Sequence, residues 1–166
     1  KLEIVKQRII HPQHPFIVAH IDRRIINDAK RGPGVWECTC PSMGVFTKCE
    51  REGLQEYYIV QMQHYLGVTG YKWGAFAVFS AELWKMIEFD VVPDKELIRI
   101  IFREDEKFWQ MVKEGIDPLS PEGQQRTMQV FQKKTEEAQA AADSRRTIST
   151  RTSLNAQKTR EFNADV

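Results

Sequence analysis

Asp22 closes one hydrophobic run, Phe16-Ile-Val-Ala-His-Ile-Asp22, and Glu37 sits inside another, Val35-Trp-Glu37-Cys38-Thr39. Two carboxylates on neighbouring extended segments are suited to a hard divalent cation such as Mg2+ or Mn2+. Such a cation neutralises a phosphate and lowers the pKa of a bound water, so the chemistry on offer is hydrolysis of a phosphodiester. The backbone carbonyl of Cys38 can complete the protein's share of ligands without specifying a side chain. Side chains alternate along a strand with period two, so Glu37 and Thr39 point to the same face. A third run, Tyr58-Ile-Val-Gln61-Met-Gln63, has helical spacing and places Gln61 three residues after Tyr58 on an otherwise apolar face.

The elements that must carry these residues can be read in order. Residues 4–10 and 15–22 are rich in β-branched side chains and are separated by His11-Pro-Gln-His-Pro15, which predicts a hairpin. Residues 23–27 extend its second strand, the polar residues 28–34 turn the chain, and Val35 to Thr39 return as a third strand, putting Asp22 beside Glu37. From about Arg51, apolar residues recur at three- and four-residue steps (Leu54, Tyr57, Tyr58, Met62, Tyr65, Leu66) and stop near Gly67 and Gly70, which predicts a helix. Tyr71 to Ser80 and Leu83 to Val92 read as strands. Pro93-Asp94 opens a second long helix with Leu97, Ile98, Ile101, Phe102, Phe108, Trp109 and Val112 on its apolar face, ending near Gly115. The expected fold class is α/β, a mixed β-sheet flanked by α-helices. Residues 1–120 form the expected core, and 121–166 a tail, helical around 136–142 and poor in apolar residues after 144.

With 166 residues and 42% hydrophobic content, the chain can bury one sizeable core. The net charge of +1 hides an uneven spread: residues 1–51 hold nine basic against five acidic side chains, and residues 82–117 six against ten. A polyanion is therefore expected on the first third, where Arg8, Arg23, Arg24, Lys30, Arg31, Lys48 and Arg51 are the candidate phosphate contacts. Three cysteines (Cys38, Cys40, Cys49) and no signal-peptide pattern argue against a disulfide framework and for a reducing cytoplasm. No run approaches the roughly 18–20 apolar residues of a membrane helix.

Together these segments resemble the PD-(D/E)xK nuclease superfamily, and within it the lambda exonuclease and YqaJ-like viral recombinase branch. The resemblance rests on the Asp22 strand, Glu37-Cys-Thr39, the helix from Tyr58 to Gly70 with its Tyr-x-x-Gln-x-Gln start and Val-Thr-Gly end, and Phe108-Trp109-Gln-Met-Val112. It covers about residues 1–117. It implies a restriction-endonuclease-like core, Asp22 and Glu37 as ligands of Mg2+ or Mn2+ with the Cys38 carbonyl, and Gln61 beside the site. It also implies a phage or prophage protein in a bacterial cytoplasm that resects linear double-stranded DNA from its ends, works with a single-strand annealing protein and forms a homo-oligomer. Family members keep a lysine beside the nucleophile at the position of Thr39, whose hydroxyl carries no charge. Three readings stay open: a lysine replaced in the laboratory, a naturally inactive chain, or a cation such as Lys48 or Arg51 reaching the site from elsewhere. A non-catalytic module that binds DNA or protein is the alternative.

Blander roles stand beside these. His20 is expected as a hydrogen-bonded neighbour of Asp22 rather than a ligand. The cysteines are expected as buried thiols, because Cys-x-Cys lacks the usual two-residue gap of a zinc site. Trp36, Trp73, Trp84 and Trp109 are expected in the core.

Overall fold

Strand β5 (Gly34–Thr39), which carries Glu37 and Thr39, lies in the middle of the sheet, between β4 (Arg23–Ile25) and β6 (Gly74–Ser80). β1 (Leu2–Ile4) and β7 (Lys85–Val91) complete the order β1-β4-β5-β6-β7. In the computed structural model residues 1–126 and Met128 are described, and the chain divides into two units, Lys1–Gln110 and Met111–Val166. The β5–β6 pair is parallel and the other pairs of this sheet are antiparallel. A parallel pair cannot be closed by a tight turn. The crossover is made by helices α1 (Met43–Glu52) and α2 (Glu56–Thr69).

Residues of β6 are buried along almost its whole length, as its unbroken run Gly-Ala-Phe-Ala-Val-Phe-Ser requires. β7 alternates instead: Ile87, Phe89 and Val91 turn inward while Met86, Glu88 and Asp90 are exposed. Val35, Phe46, Met62, Leu66, Phe76 and Val78 form the fully buried centre where β5 and β6 meet the two helices. A short antiparallel pair, β2 (Ile9–Ile10) and β3 (Val18–Ala19), makes a separate hairpin.

Helix α2 ends where Gly70 adopts φ +69° and its N–H donates to the Leu66 carbonyl. Helix α3 (Lys95–Lys113) starts after Asp94, whose Oδ1 accepts the N–H groups of Glu96 and Leu97 at 3.0 Å each. α3 approaches α2 closely at Gly67, where a Cβ would lie 2.8 Å from Ile98 Cγ2 and from Phe102 Cζ. In the second unit, Gly115 turns the chain with φ +70°, residues 121–126 are helical, and Arg126 pairs with Glu114.

The mixed sheet with its helices bears out the expected fold class, and the segmentation needs correction in two places. The expected hairpin of 4–10 with 15–27 is split between two sheets: β1 and β2 replace its first strand and β3 and β4 its second, β1 pairing with β4 and β2 with β3. Helix α1 was not foreseen as a separate element. Its marks are Ser42 at the N-cap and Met43, Phe46 and Cys49 at three-residue steps, with Gly53 breaking it from α2 at φ +92°. The tail expected helical over 136–142 and polar after 144 lies outside the described residues.

Candidate functional site

The β4–β5 ladder pairs Arg23 with Trp36 and stops there, so Asp22 and Glu37 come together just past its last rung. At this open end the two acids replace the missing ladder bonds. The Asp22 N–H donates to Glu37 Oε1 at 2.7 Å, and the Cys38 N–H donates to Asp22 Oδ2 at 3.0 Å. Helix α2 lies over the same face of β5 and brings Gln61 Nε2 to 3.4 Å from Glu37 Oε2. The same nitrogen donates to the Tyr65 hydroxyl at 3.2 Å. Tyr65 was not singled out from the sequence, although it lies four residues after Gln61 and so one helical turn along the same face.

Glu37 is 5% exposed, whereas Asp22 is exposed. Burial pushes the Glu37 carboxyl up to about 7; the Asp22 N–H pulls it down and the Asp22 charge adds to the rise. Burial also raises the Cys38 thiol, helped by Asp22, Cys40, Glu37 and Glu88. The Tyr65 phenol is raised by burial, against the Gln61 hydrogen bond, and further by Glu37 and Asp22. The Asp22 and Glu37 charges thus reach both Cys38 and Tyr65 and hold them toward their neutral forms. Among the described residues, no group of three or more His, Cys, Asp and Glu side chains gathers as a metal cluster.

Thr39 is half-buried on the Glu37 face, as alternation requires. The candidate cations are spread more widely. Arg23 donates to the Asp22 backbone carbonyl at 2.7 Å and stands next to the acids. Arg24 pairs with Glu3, and Arg51 with Glu52. Arg31 is held by Asp28 and Asp90 and lies 3.3 Å over the Trp73 ring. Lys30 is exposed in the 28–34 turn. Lys48 lines a cavity of about 410 Å3 with Glu52, Leu54, Gln55, Glu56 and Tyr57, at the corner between α1 and α2.

Gln63, two residues from Gln61, has a structural position: it is buried, donates to the Val92 carbonyl at 2.9 Å and accepts the Asp94 N–H at 2.8 Å. His20 is exposed. Of the thiols Cys49 is buried as expected, but Cys38 and Cys40 are exposed, because β5 turns Cys38 to the face opposite Glu37. Trp73 is buried and Trp36 half-buried, while Trp109 on α3 is exposed and Trp84 is 83% exposed at φ +49° in the turn between β6 and β7, so the core expectation fails at these last two.

Residues 1–72, which hold Asp22, Glu37, Thr39 and Gln61, match the YqaJ-like viral recombinase domain. Over that segment the chain is similar to the YqaJ-like domain. Over 114 residues it is 38% identical to the YqaJ protein of Bacillus subtilis (strain 168), a span of 66% of this chain and 33% of that protein. The fold is also similar to that of an alkaline exonuclease, LHK-Exo, from Laribacter hongkongensis. The TM-score is 0.60 at 22% identity, over 79% of this chain and 64% of that one. LHK-Exo in complex with dAMP gives a TM-score of 0.61 at 22% identity, over 75% and 63%. The chain thus spans a third of the Bacillus subtilis protein and under two thirds of LHK-Exo. Among the described residues no helix is long and apolar enough to cross a membrane.

Proposed function

We propose that this chain carries the site of a metal-dependent deoxyribonuclease of the phage recombination type, which removes nucleotides from the ends of linear double-stranded DNA. The observation that carries the reading is the Asp22–Glu37 pair at the open end of the β4–β5 ladder, with one acid buried and its carboxyl held near neutrality. Burying the Glu37 carboxylate beside the Asp22 charge costs free energy that a divalent cation offsets, so the donor set fits Mg2+ or Mn2+.

Asp22, Glu37 and the Cys38 carbonyl are the groups that would hold the cation. The N–H and C=O of a strand residue face the same edge, and the Cys38 N–H already faces Asp22. When bound, the cation would polarise a phosphate and acidify a water. Gln61 holds the outer oxygen of Glu37, and Tyr65 steadies the Gln61 amide from one turn away. Arg23 is the cation best placed to meet a phosphate beside the acids. The partners implied are duplex DNA ends, an annealing protein that takes the exposed strand, and further copies of the chain in a homo-oligomer.

Thr39 supports a second reading, a weakened or non-catalytic form that still binds DNA. A neutral hydroxyl beside Glu37 cannot offset the charge that develops on a phosphate in the transition state. End-labelled linear duplex decides between them, with the chain and its Thr39→Lys variant compared in Mg2+ and in EDTA. Mg2+-dependent digestion from ends by the variant supports the nuclease reading. Binding without cutting by both forms supports the module, and cutting of closed circles would assign an endonuclease.

A further inference from the structure

The β2–β3 hairpin meets α3 through a cluster of histidines and aromatic rings that the proposed hydrolysis does not use. His64 of α2 stands at its centre. Its Nε2 lies 3.1 Å from the Val18 carbonyl on β3, and its Nδ1 lies 3.5 Å from Asp105 Oδ2 on α3. Both neighbours only accept hydrogen bonds, so each is satisfied only if both ring nitrogens carry protons. Asp105 Oδ2 is buried and has no hydrogen-bond partner, so the ion pair with a protonated His64 is the contact that can compensate it.

His11, in the hairpin loop, has the opposite requirement. Its Nδ1 accepts the N–H groups of Gln13 at 3.2 Å and His14 at 3.1 Å, so a proton there would displace both. The His11 ring stacks on His14 at 5.1 Å and meets the edge of Phe102 of α3 at 5.0 Å. His14 reaches Phe16, which stacks on Trp109 of α3 at 5.5 Å, and His64 reaches Phe102 at 6.2 Å. No residue of α3 is fully buried, and these contacts join its packing on α2 at Gly67 in holding it.

We infer that the junction of the β2–β3 hairpin with α3 is a pH-sensitive clamp, closed while His64 is protonated and His11 is neutral, and loosened on either side of that window. The groups facing His64 are Asp105 from α3, the Val18 carbonyl from β3 and Tyr65 from its own helix; His14 is the titratable neighbour of His11. The directions agree with the geometry. Asp105 raises His64 against burial, and burial followed by His14 lowers His11. His64 thus adds stability that is full below the ordinary imidazole value and lost as pH rises through its own raised one. His11 adds stability that is full above the ordinary value and lost as pH falls toward its own lowered one. The clamp is tightest near the ordinary imidazole pKa of about 6.5.

Hydrogen exchange on the full chain between pH 5 and pH 9, corrected for intrinsic rates, tests the clamp. Protection over residues 9–19 and 95–110 should peak near neutrality. It should fall by about tenfold for each unit by which folding shifts the histidine concerned, while β6 stays protected. Asp105→Asn or His64→Gln should remove the alkaline fall and leave the acid one, and His11→Asn should do the reverse. Equal protection across the range, or a fall in which β6 takes part, would overturn the clamp, as would a profile that whichever variants fold leave unchanged.

Discussion

Asp22 and Glu37 each bind the other's strand: Glu37 Oε1 takes the Asp22 N–H at 2.7 Å, and Asp22 Oδ2 takes the Cys38 N–H at 3.0 Å. This exchange fixes two like charges side by side at the point where the ladder ends. Folding thereby positions the acids before any ligand arrives, and the repulsion it leaves is what a cation would relieve.

Restoring the charge next to this pair should raise hydrolysis. Thr39→Lys places an ammonium on the Glu37 face of β5, and an electrostatic group of this kind is worth on the order of 10² to 10⁴ in rate. Initial rates of nucleotide release from linear duplex in Mg2+ measure the gain, and equal rates for the two forms would show that another cation already serves.

The raised Glu37 carboxyl predicts a pH dependence of stability. Because folding lifts it from an ordinary 4.5 to about 7, the folded chain holds the proton more tightly, and stability falls as pH rises across that window. At pH 8 Glu37→Gln should therefore stabilise the metal-free chain by roughly 1–3 kcal/mol, discounted for the solvent near Asp22. Urea unfolding in EDTA at pH 5 and pH 8 checks this, with the gain small at pH 5.

The two glutamines of α2 should separate cleanly. Gln61→Ala removes a hydrogen bond to Glu37 and should cut nuclease activity in the Thr39→Lys background while leaving thermal stability nearly unchanged. Gln63→Ala leaves the Val92 carbonyl and Asp94 N–H unpartnered and should cost about 1–3 kcal/mol of stability. Thermal melts and activity on the same preparations distinguish them.

Close packing at Gly67 gives a prediction remote from the acids. Gly67→Ala brings a methyl within 2.8 Å of Ile98 and Phe102, so α3 must shift, at a cost of about 1–3 kcal/mol. Chemical denaturation should record the loss.

Sequence pattern carried β5, β6, β7, α2 and α3 because each has a long apolar period or a clear stop such as Gly70 or Gly115. It also carried Asp22, Glu37 and Gln61 to one place, since register and alternation leave few other arrangements. The short hairpin was misread because β1 and β2 share one β-branched run, whose division is set by their different partners. Cys38 and Trp84 were misplaced for a related reason: exposure depends on which face of the sheet is covered and on the φ of a turn residue, and neither is written in local hydrophobicity. Tyr65 was hidden among the apolar residues of α2, although its spacing from Gln61 was visible.

The most direct measurement is Mn2+ binding by titration calorimetry at pH 7.5, on the full chain and on Asp22→Asn and Glu37→Gln. The account predicts that the parent binds and takes up Mn2+ more weakly as pH is lowered below about 7, and that each variant loses binding while remaining folded. Unchanged Mn2+ affinity in both variants, or none in the parent, would contradict a cation site on the Asp22–Glu37 pair.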